Sequence, residues 1–347
     1  MRRHVTLWRA VGTAVLLALV VGLLLYLVPS GTFPRQLVGH RAAASQYILL
    51  PDVAHPVAPL VQVQGARPGK PGTLYFVDVI ERRASTLEAL FPSLHPQATL
   101  VPAGAIVPPC ASDAQATAAA LQEMAFSQRV AAAVALRKLH YHVVVKPTGV
   151  TVSQLIAGTH APCNLQPADV IVAVDGKPTP TPEALHTALG DVEPGAVVKL
   201  RVRRAGKLLT VPVRTVEAGG RALVGFVPDQ SATIKLPFRV AIDTSGIGGP
   251  SAGLAFALEV MQKLGRNVVH GHKVAATGEL APDGSVLPIG GIKQKTIGVR
   301  EAGADVFLVP AGDNATEARK EADGLRIIPV ESFPQALRAL ATLPEAQ

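Results

Sequence analysis

The sequence predicts an α/β (α+β) domain joined to a small β-rich domain and preceded by one N-terminal transmembrane helix. Three observations carry this expectation. Ala10 to Val28 carry no charge and are nearly all apolar. Tyr141 to Val216 is a succession of short β-rich runs and turns with room for one helix. From Ala218 onward, strand and helix patterns alternate. With 347 residues, 48% of them hydrophobic and 17% charged, there is material for two or three domains with a sizeable core, and wholesale disorder is excluded. The net charge of +8 suits an anionic partner, but the basic residues are scattered and aromatics make up only 4%. Nucleic acid is therefore not an expected partner.

The elements follow in chain order. Residues 1–9 form a short tail and 10–28 the anchor, bounded by Arg9 and, downstream, by Arg35. At ~1.5 Å per residue such a helix just crosses a ~30 Å hydrocarbon layer. The run is too long for a signal-peptide core, and no small-x-small cleavage site follows closely, so an uncleaved anchor is expected. Arg2, Arg3 and Arg9 place the N-terminus in the cytoplasm and the remainder outside it. The lipid bilayer is thus an expected partner, with the protein a single-pass component of the cell membrane. Residues 29–45 are a linker, and 46–139 an N-terminal lobe with strands at Gln46–Leu50 and Leu74–Ile80 and a helix from Asp113, the expected N-cap, to Leu139. Residues 141–216 form the β-rich domain, and 217–347 the α/β domain, with a helix at Pro250–Leu264 and another beginning near Gly291. Cys110 and Cys163 carry no spacing pattern, so two independent thiols are expected, although an oxidising compartment would permit a bridge.

The chemistry concentrates at Gly248-Gly249-Pro250-Ser251-Ala252-Gly253-Leu254. Pro250 suits a first helical turn, and the glycines let the backbone approach a substrate. The unpaired N–H groups of such a turn can hold an oxyanion, which nominates Gly249, Pro250 and Ala252 as support for Ser251. The alternative is a serine that merely caps a helix. The same run spells G-x-S-x-G, but no histidine follows His272 and no aspartate lies between Ser251 and His270, so a Ser–acid–His triad is excluded. A dinucleotide loop fails for want of its third glycine. The base is Lys295. In the helix near Gly291, Ile292, Lys295, Thr296 and Val299 share one face, while Lys293 projects away. A buried lysine has its pKa lowered and can remove the serine proton, whereas the bland alternative is a snorkelling side chain. No H-E-x-x-H or Cys/His cluster appears, so neither metal nor cofactor is expected. Gly65 to Lys70 approaches a phosphate loop but continues with Pro71, so ATP is not expected either.

Two resemblances add to this. Ala168-Asp169-Val170-Ile171-Val172-Ala173-Val174-Asp175-Gly176 resembles the PDZ signature, with Ala168 in place of a glycine. It implies a groove that adds an extended peptide to a sheet edge, with Tyr141, His142, Val143 and Val144 where a terminal carboxylate is received. The alternative is a PDZ-shaped spacer. Gly249-Pro250-Ser251-Ala252-Gly253, Thr277-Gly278-Glu279, Leu287-Pro288-Ile289-Gly290-Gly291 and Lys293-Gln294-Lys295 resemble, in order and approximate spacing, the Lon-type serine protease domain, from about Val224 to Pro329. This implies a Ser251–Lys295 dyad, a hydroxyl on Thr277 that helps orient the amine, polypeptide substrates and assembly into homo-oligomeric rings. Gly248 departs from the aspartate many Lon proteases carry there. The whole resembles membrane-anchored, PDZ-containing Lon-like proteases of bacteria. Gly72–Ile80 and the helix around Gln122–Ser127 are similar to the first part of such a domain, which makes the PDZ an insertion. A non-catalytic membrane scaffold and a protease acting only on itself are the alternatives.

Overall fold

The computed structural model describes residues 2–156 and 158–344, and the chain divides into two compact units. The smaller comprises Met1–Pro51 and Val79–Ile106. Helix α1 (Arg2–Leu27) ends before Pro29. Its exit is stitched to the start of the helix Thr86–Leu90, because the Thr86 backbone N–H donates to the Val28 carbonyl at 2.8 Å and the Ser30 N–H donates to the Ala84 carbonyl at 2.9 Å. Gly31–Ser45, expected as a linker, carries the helix Arg35–Ala43, with a break at Gly39 (φ 73°). Gln46–Pro51 is the central strand of an antiparallel sheet, flanked by Val79–Arg83 and Thr99–Pro102. Glu88 anchors this unit. It is 1% exposed, accepts two bonds from Arg82 at 2.6 and 3.0 Å, and closes a capping box with Ser85. The guanidinium bonds and, against the effect of burial, the Ser85 donors hold its pKa down at about 2.

Among the described residues no helix is long and apolar enough to cross a membrane. The transmembrane helix expected at Ala10–Val28 is corrected on that point. Pro29 stops α1, and the uncharged turns from Ala10 to Leu27 span only roughly 27 Å at ~1.5 Å per residue. Its apolar side chains are nonetheless in the open, with Leu16, Leu17, Leu19 and Leu27 each above 60% exposure.

The larger unit comprises Asp52–Asp78 and Val107–Gln347. The run Leu74–Ile80, expected as one strand, is two. β1 (Thr73–Phe76) enters the sheet of this unit, and the chain passes at Asp78 to Val79–Arg83 of the other. Helix α2 (Asp113–Lys138) is capped by Ser112 in a capping box with Gln115, so Asp113 is the first helical residue and not the cap. A serine oxygen accepts the Gln115 N–H, while the Asp113 charge still favours the positive helix end.

The PDZ-like part is one sheet. β2 (Val144–Leu155), β3 (Val170–Val174), β4 (Val197–Arg204), β5 (Lys207–Arg214) and β6 (Phe226–Lys235) lie in the order β5-β4-β3-β2-β6. Helix α3 (Pro182–Leu189), capped by Thr181, packs against β2, β3 and β6. Alternation along β4, where Val198, Leu200 and Val202 are buried and Lys199 and Arg201 exposed, points one face at a core that also holds Val150, Ile171, Leu185 and Phe226.

Helix α4 (Gly253–Lys263) lies against α2. Small residues make the approach close: a Cβ on Gly253 would sit 2.9 Å from Ser127 Oγ. β7 (Lys273–Ala276) pairs in parallel with β1 on one side and with β8 (Val306–Pro310) on the other, and β9 (Arg326–Val330) continues the parallel set. Helix α5 (Ile292–Glu301) joins this set, entered through Gly291 at φ 67°. Buried on both faces, β8 is apolar throughout.

Cys110 and Cys163 are bonded to each other, with Cα atoms 5.1 Å apart, which corrects the expectation of independent thiols. The pairing is set by the docking of the loop before α2 on the loop before β3, which no spacing in the chain encodes. The bridge closes a loop of 53 residues, and restricting the unfolded chain this way contributes at most about 4 kcal/mol. Reducing the purified protein, or exchanging Cys110 for Ser, should therefore lower the denaturant midpoint by an amount equivalent to about 2–4 kcal/mol. An unchanged midpoint after complete reduction would contradict the pairing.

Candidate active site

Ser251 lies in a turn one residue before the α4 N-cap, Ala252, and not inside the helix as the proline suggested. Gly249 takes φ 84°, and the Gly253 N–H donates back to the Pro250 carbonyl at 3.3 Å, so the chain winds tightly before the helix begins. Three contacts hold this turn. Gly249 N–H donates to the Ala120 carbonyl at 2.8 Å, Ser127 Oγ donates to the Pro250 carbonyl at 2.9 Å, and Gly278 N–H donates to the Ser251 carbonyl at 2.8 Å. A Cβ at position 248 would lie 2.8 Å from Ala120 Cβ, so the packing of the turn on α2 requires Gly248. That accounts physically for the departure from aspartate at this position.

Lys295 rises from the second turn of α5. It is 4% exposed, and its Nζ is 2.8 Å from Ser251 Oγ, in hydrogen-bond geometry. Lys293 is only partly buried, as its place on the helix face implied. Thr277 is 1% exposed and follows β7 directly. Its hydroxyl donates to the Ser251 carbonyl at 3.2 Å, and its N–H to Leu308 of β8 at 3.0 Å, so it positions the serine backbone. Among the described residues, the N–H groups of Ser251 and Ala252 find no protein acceptor. Adjacent in the chain to Oγ, they are candidates to hold an oxyanion. Gly249 and Pro250 hold the turn and do not offer such donors, since the Gly249 N–H is used and proline has none.

Near this turn stands a group of carboxyls to which the sequence assigns no role. Glu123 lies on α2 between Ala120 and Ser127, Asp229 on β6, and Glu279 two residues beyond Thr277. Burial, the dominant cause, pushes Glu123 up to about 7 and Glu279 up to about 8, with mutual repulsion among the acids adding to both. Burial also raises Asp229, which shares a hydrogen bond with Glu279. At neutral pH this cluster therefore retains protons.

β2, which begins at the last of the four residues nominated for a peptide groove, is not an edge strand. Tyr141, His142 and Val143 precede β2, and Tyr141 packs edge-on against Phe238 at 5.2 Å. Val144 is already paired with Lys235, and β6 covers β2 along its length to Leu155. The open edge belongs to β6, with α3 alongside it. Before β6 stands Leu223-Val224-Gly225-Phe226, in which Gly225 has φ 101° and a Cβ would strike Thr159. Its carbonyl accepts from Ile156 at 2.9 Å, and among the described residues the N–H groups of Val224 and Gly225 have no acceptor. A glycine between two apolar residues at a strand start was the available signal. It lay beyond the residues from which the domain pattern was read, because the strand that completes the sheet comes last in the chain.

Comparison with known proteins fits this architecture. Residues 240–342 match the model of the Lon protease (S16) C-terminal proteolytic domain, and residues 133–215 that of the PDZ domain. The Lon protease of Mesomycoplasma hyopneumoniae (strain 232) is 37% identical over 90 residues, 25% of this chain and 10% of that protein. Lon protease 2 of Bacillus subtilis (strain 168) is 31% identical over 119 residues, 34% of this chain and 20% of that protein. The chain thus spans a tenth to a fifth of the length of these relatives. Among solved structures, the PDZ domain of the SdrC-like protein of Listeria monocytogenes matches 23% of this chain and 87% of that one, at 18% identity and a TM-score of 0.22. The polypeptide therefore carries a Lon-type (S16) serine protease proteolytic domain together with a PDZ domain.

Proposed function

We propose that this chain is an ATP-independent, membrane-anchored serine endopeptidase that uses Ser251 and Lys295 and recruits polypeptide substrates through its PDZ domain. The observation that carries the reading is the 2.8 Å approach of a buried amine to a serine oxygen beside two free backbone donors. Ser251 Oγ attacks the scissile carbonyl while neutral Lys295 takes its proton. The carbonyl oxygen becomes an oxyanion held by the N–H groups of Ser251 and Ala252. Collapse breaks the C–N bond, and Lys295 returns its proton to the departing amine. Water, deprotonated by Lys295, then cleaves the acyl ester and restores Ser251. A scaffold that had lost catalysis has no need to keep both partners at bonding distance.

In this reading the PDZ groove lies between β6 and α3, which the open β6 edge supports. An extended chain adds to the β6 edge, and the free amides of Val224 and Gly225 receive its terminal carboxylate. On this reading the substrates are flexible or tail-exposed exported polypeptides. The uncharged run Ala10–Leu27 with its exposed leucines supports anchoring through an apolar helix surface that lipid would cover. The Cys110–Cys163 bridge supports an extracytoplasmic setting.

Ser251→Ala and Lys295→Arg should each lower casein turnover by about 10⁴-fold or more without changing the melting temperature, because arginine cannot serve as a neutral base. Turnover within tenfold of wild type in either would exclude the dyad. Incubating wild type with the Ser251→Ala protein separates action on other chains from self-cleavage: only the former processes the inactive copy. A fluorescent peptide ending in a free apolar residue should bind the Ser251→Ala protein more tightly than its C-terminal amide, and equal affinities would remove the carboxylate loop. The full chain should stay with membranes in alkaline carbonate while a version beginning at Pro29 is released. Release of both would refute anchoring by α1.

A further inference from the structure

A second constellation of ligating groups stands apart from the serine and lysine. Asp52, His55 and Asp78 each bring one ligand atom to a common region, and these atoms lie within 4.8 Å of one another. The strand register explains the meeting. His55 pairs with Phe76 in the antiparallel edge of the sheet. Continuing both strands past that pair brings Asp78 opposite the segment that begins at Asp52.

The donor atoms are oriented and available. Asp52 Oδ1 accepts the Val53 N–H at 2.8 Å, and its Oδ2 is 3.6 Å from His55 Nε2. That separation is close to the edge of roughly 3.4 Å between ligands in a tetrahedron with ~2.1 Å bonds. Asp78 Oδ1 is shut off from solvent and has no hydrogen-bond partner, the only carboxylate oxygen so placed among the described residues. A fold that shuts an anionic oxygen away beside a second carboxylate needs a proton or a cation between them.

We propose that Asp52, His55 and Asp78 bind a divalent first-row transition-metal ion of the Zn²⁺ or Mn²⁺ class. Two carboxylates with one imidazole suit such an ion, whereas Ca²⁺ and Mg²⁺ favour shells of oxygen alone. Its role is structural. The Asp52 carbonyl occupies the space that a Cβ on Gly298 would fill, and the Ala54 N–H donates to the Gly298 carbonyl at 3.4 Å. Gly298 stands three residues after Lys295 on α5, so the ion clamps the segment on which the Lys295-bearing helix rests. The pattern is invisible to motif reading, because Asp52 and His55 form a sparse pair and the third ligand enters only through strand register.

The test uses the untagged full chain carrying Ser251→Ala, in detergent, stripped with a chelator and dialysed against Zn²⁺ or Mn²⁺, with Mg²⁺ and Ca²⁺ as comparators. One equivalent of Zn²⁺ or Mn²⁺ per chain and a raised melting temperature are expected. Both should be lost in His55→Ala, an exposed substitution that leaves the fold intact, and in Asp78→Asn. His272→Ala, which removes a different His–Asp pair, should bind as the parent does. A cooperatively melting parent that takes up no stoichiometric Zn²⁺ or Mn²⁺, or uptake unchanged in His55→Ala, overturns the site. Retention of uptake in the Ser251→Ala background separates this result from the peptidase reading.

Discussion

The arrangement depends on the carbonyl of Ser251, which accepts from both Gly278 N–H and the Thr277 hydroxyl. Through those two bonds the turn that carries Ser251 is tied to the end of β7, an inner strand of the parallel set. Gly249 and Pro250 tie the other side of the same turn to α2. With its backbone held from both sides, Ser251 has few ways to point, and Oγ faces the amine delivered by α5. A reactive geometry is kept by bonds to the main chain, where they do not compete with the chemistry of the side chain.

Close approach is the common device. Gly248 and Gly253 permit the turn and α4 to press on α2, and Gly298 permits α5 to press on the Asp52 backbone. Each of these glycines removes a methyl group that would push a reactive element outward. The cost is conformational freedom in the unfolded chain, offset by the apolar core that α2 and α4 share through Val130, Val134, Leu254 and Leu258.

β6 belongs to both halves of the larger unit. Its first residues complete the PDZ sheet and its Asp229 meets Glu279, two residues from Thr277. Protonated carboxyls in that cluster let strands and helix pack without the repulsion three charges would bring. The order of the chain thus differs from the order of the domain: the open edge of the PDZ sheet is its last strand in the chain.

What the sequence determined by itself was local. Periodicity put Lys295 on the buried face and Lys293 off it, proline and glycine marked the turn at Ser251, and alternating patterns separated the β-rich domain from the α/β domain. Each of these rests on neighbours within one or two turns of chain. What only the tertiary structure decided was everything set by residues far apart. The pairing of β2 with β6 moved the open edge away from Tyr141–Val144, and loop docking joined Cys110 to Cys163. Helix packing imposed glycine at 248, and strand register gathered Asp52, His55 and Asp78. Contacts of that kind carry no periodicity, because they are fixed by the closure of the sheet and the close packing of helices and not by the spacing of residues along the chain.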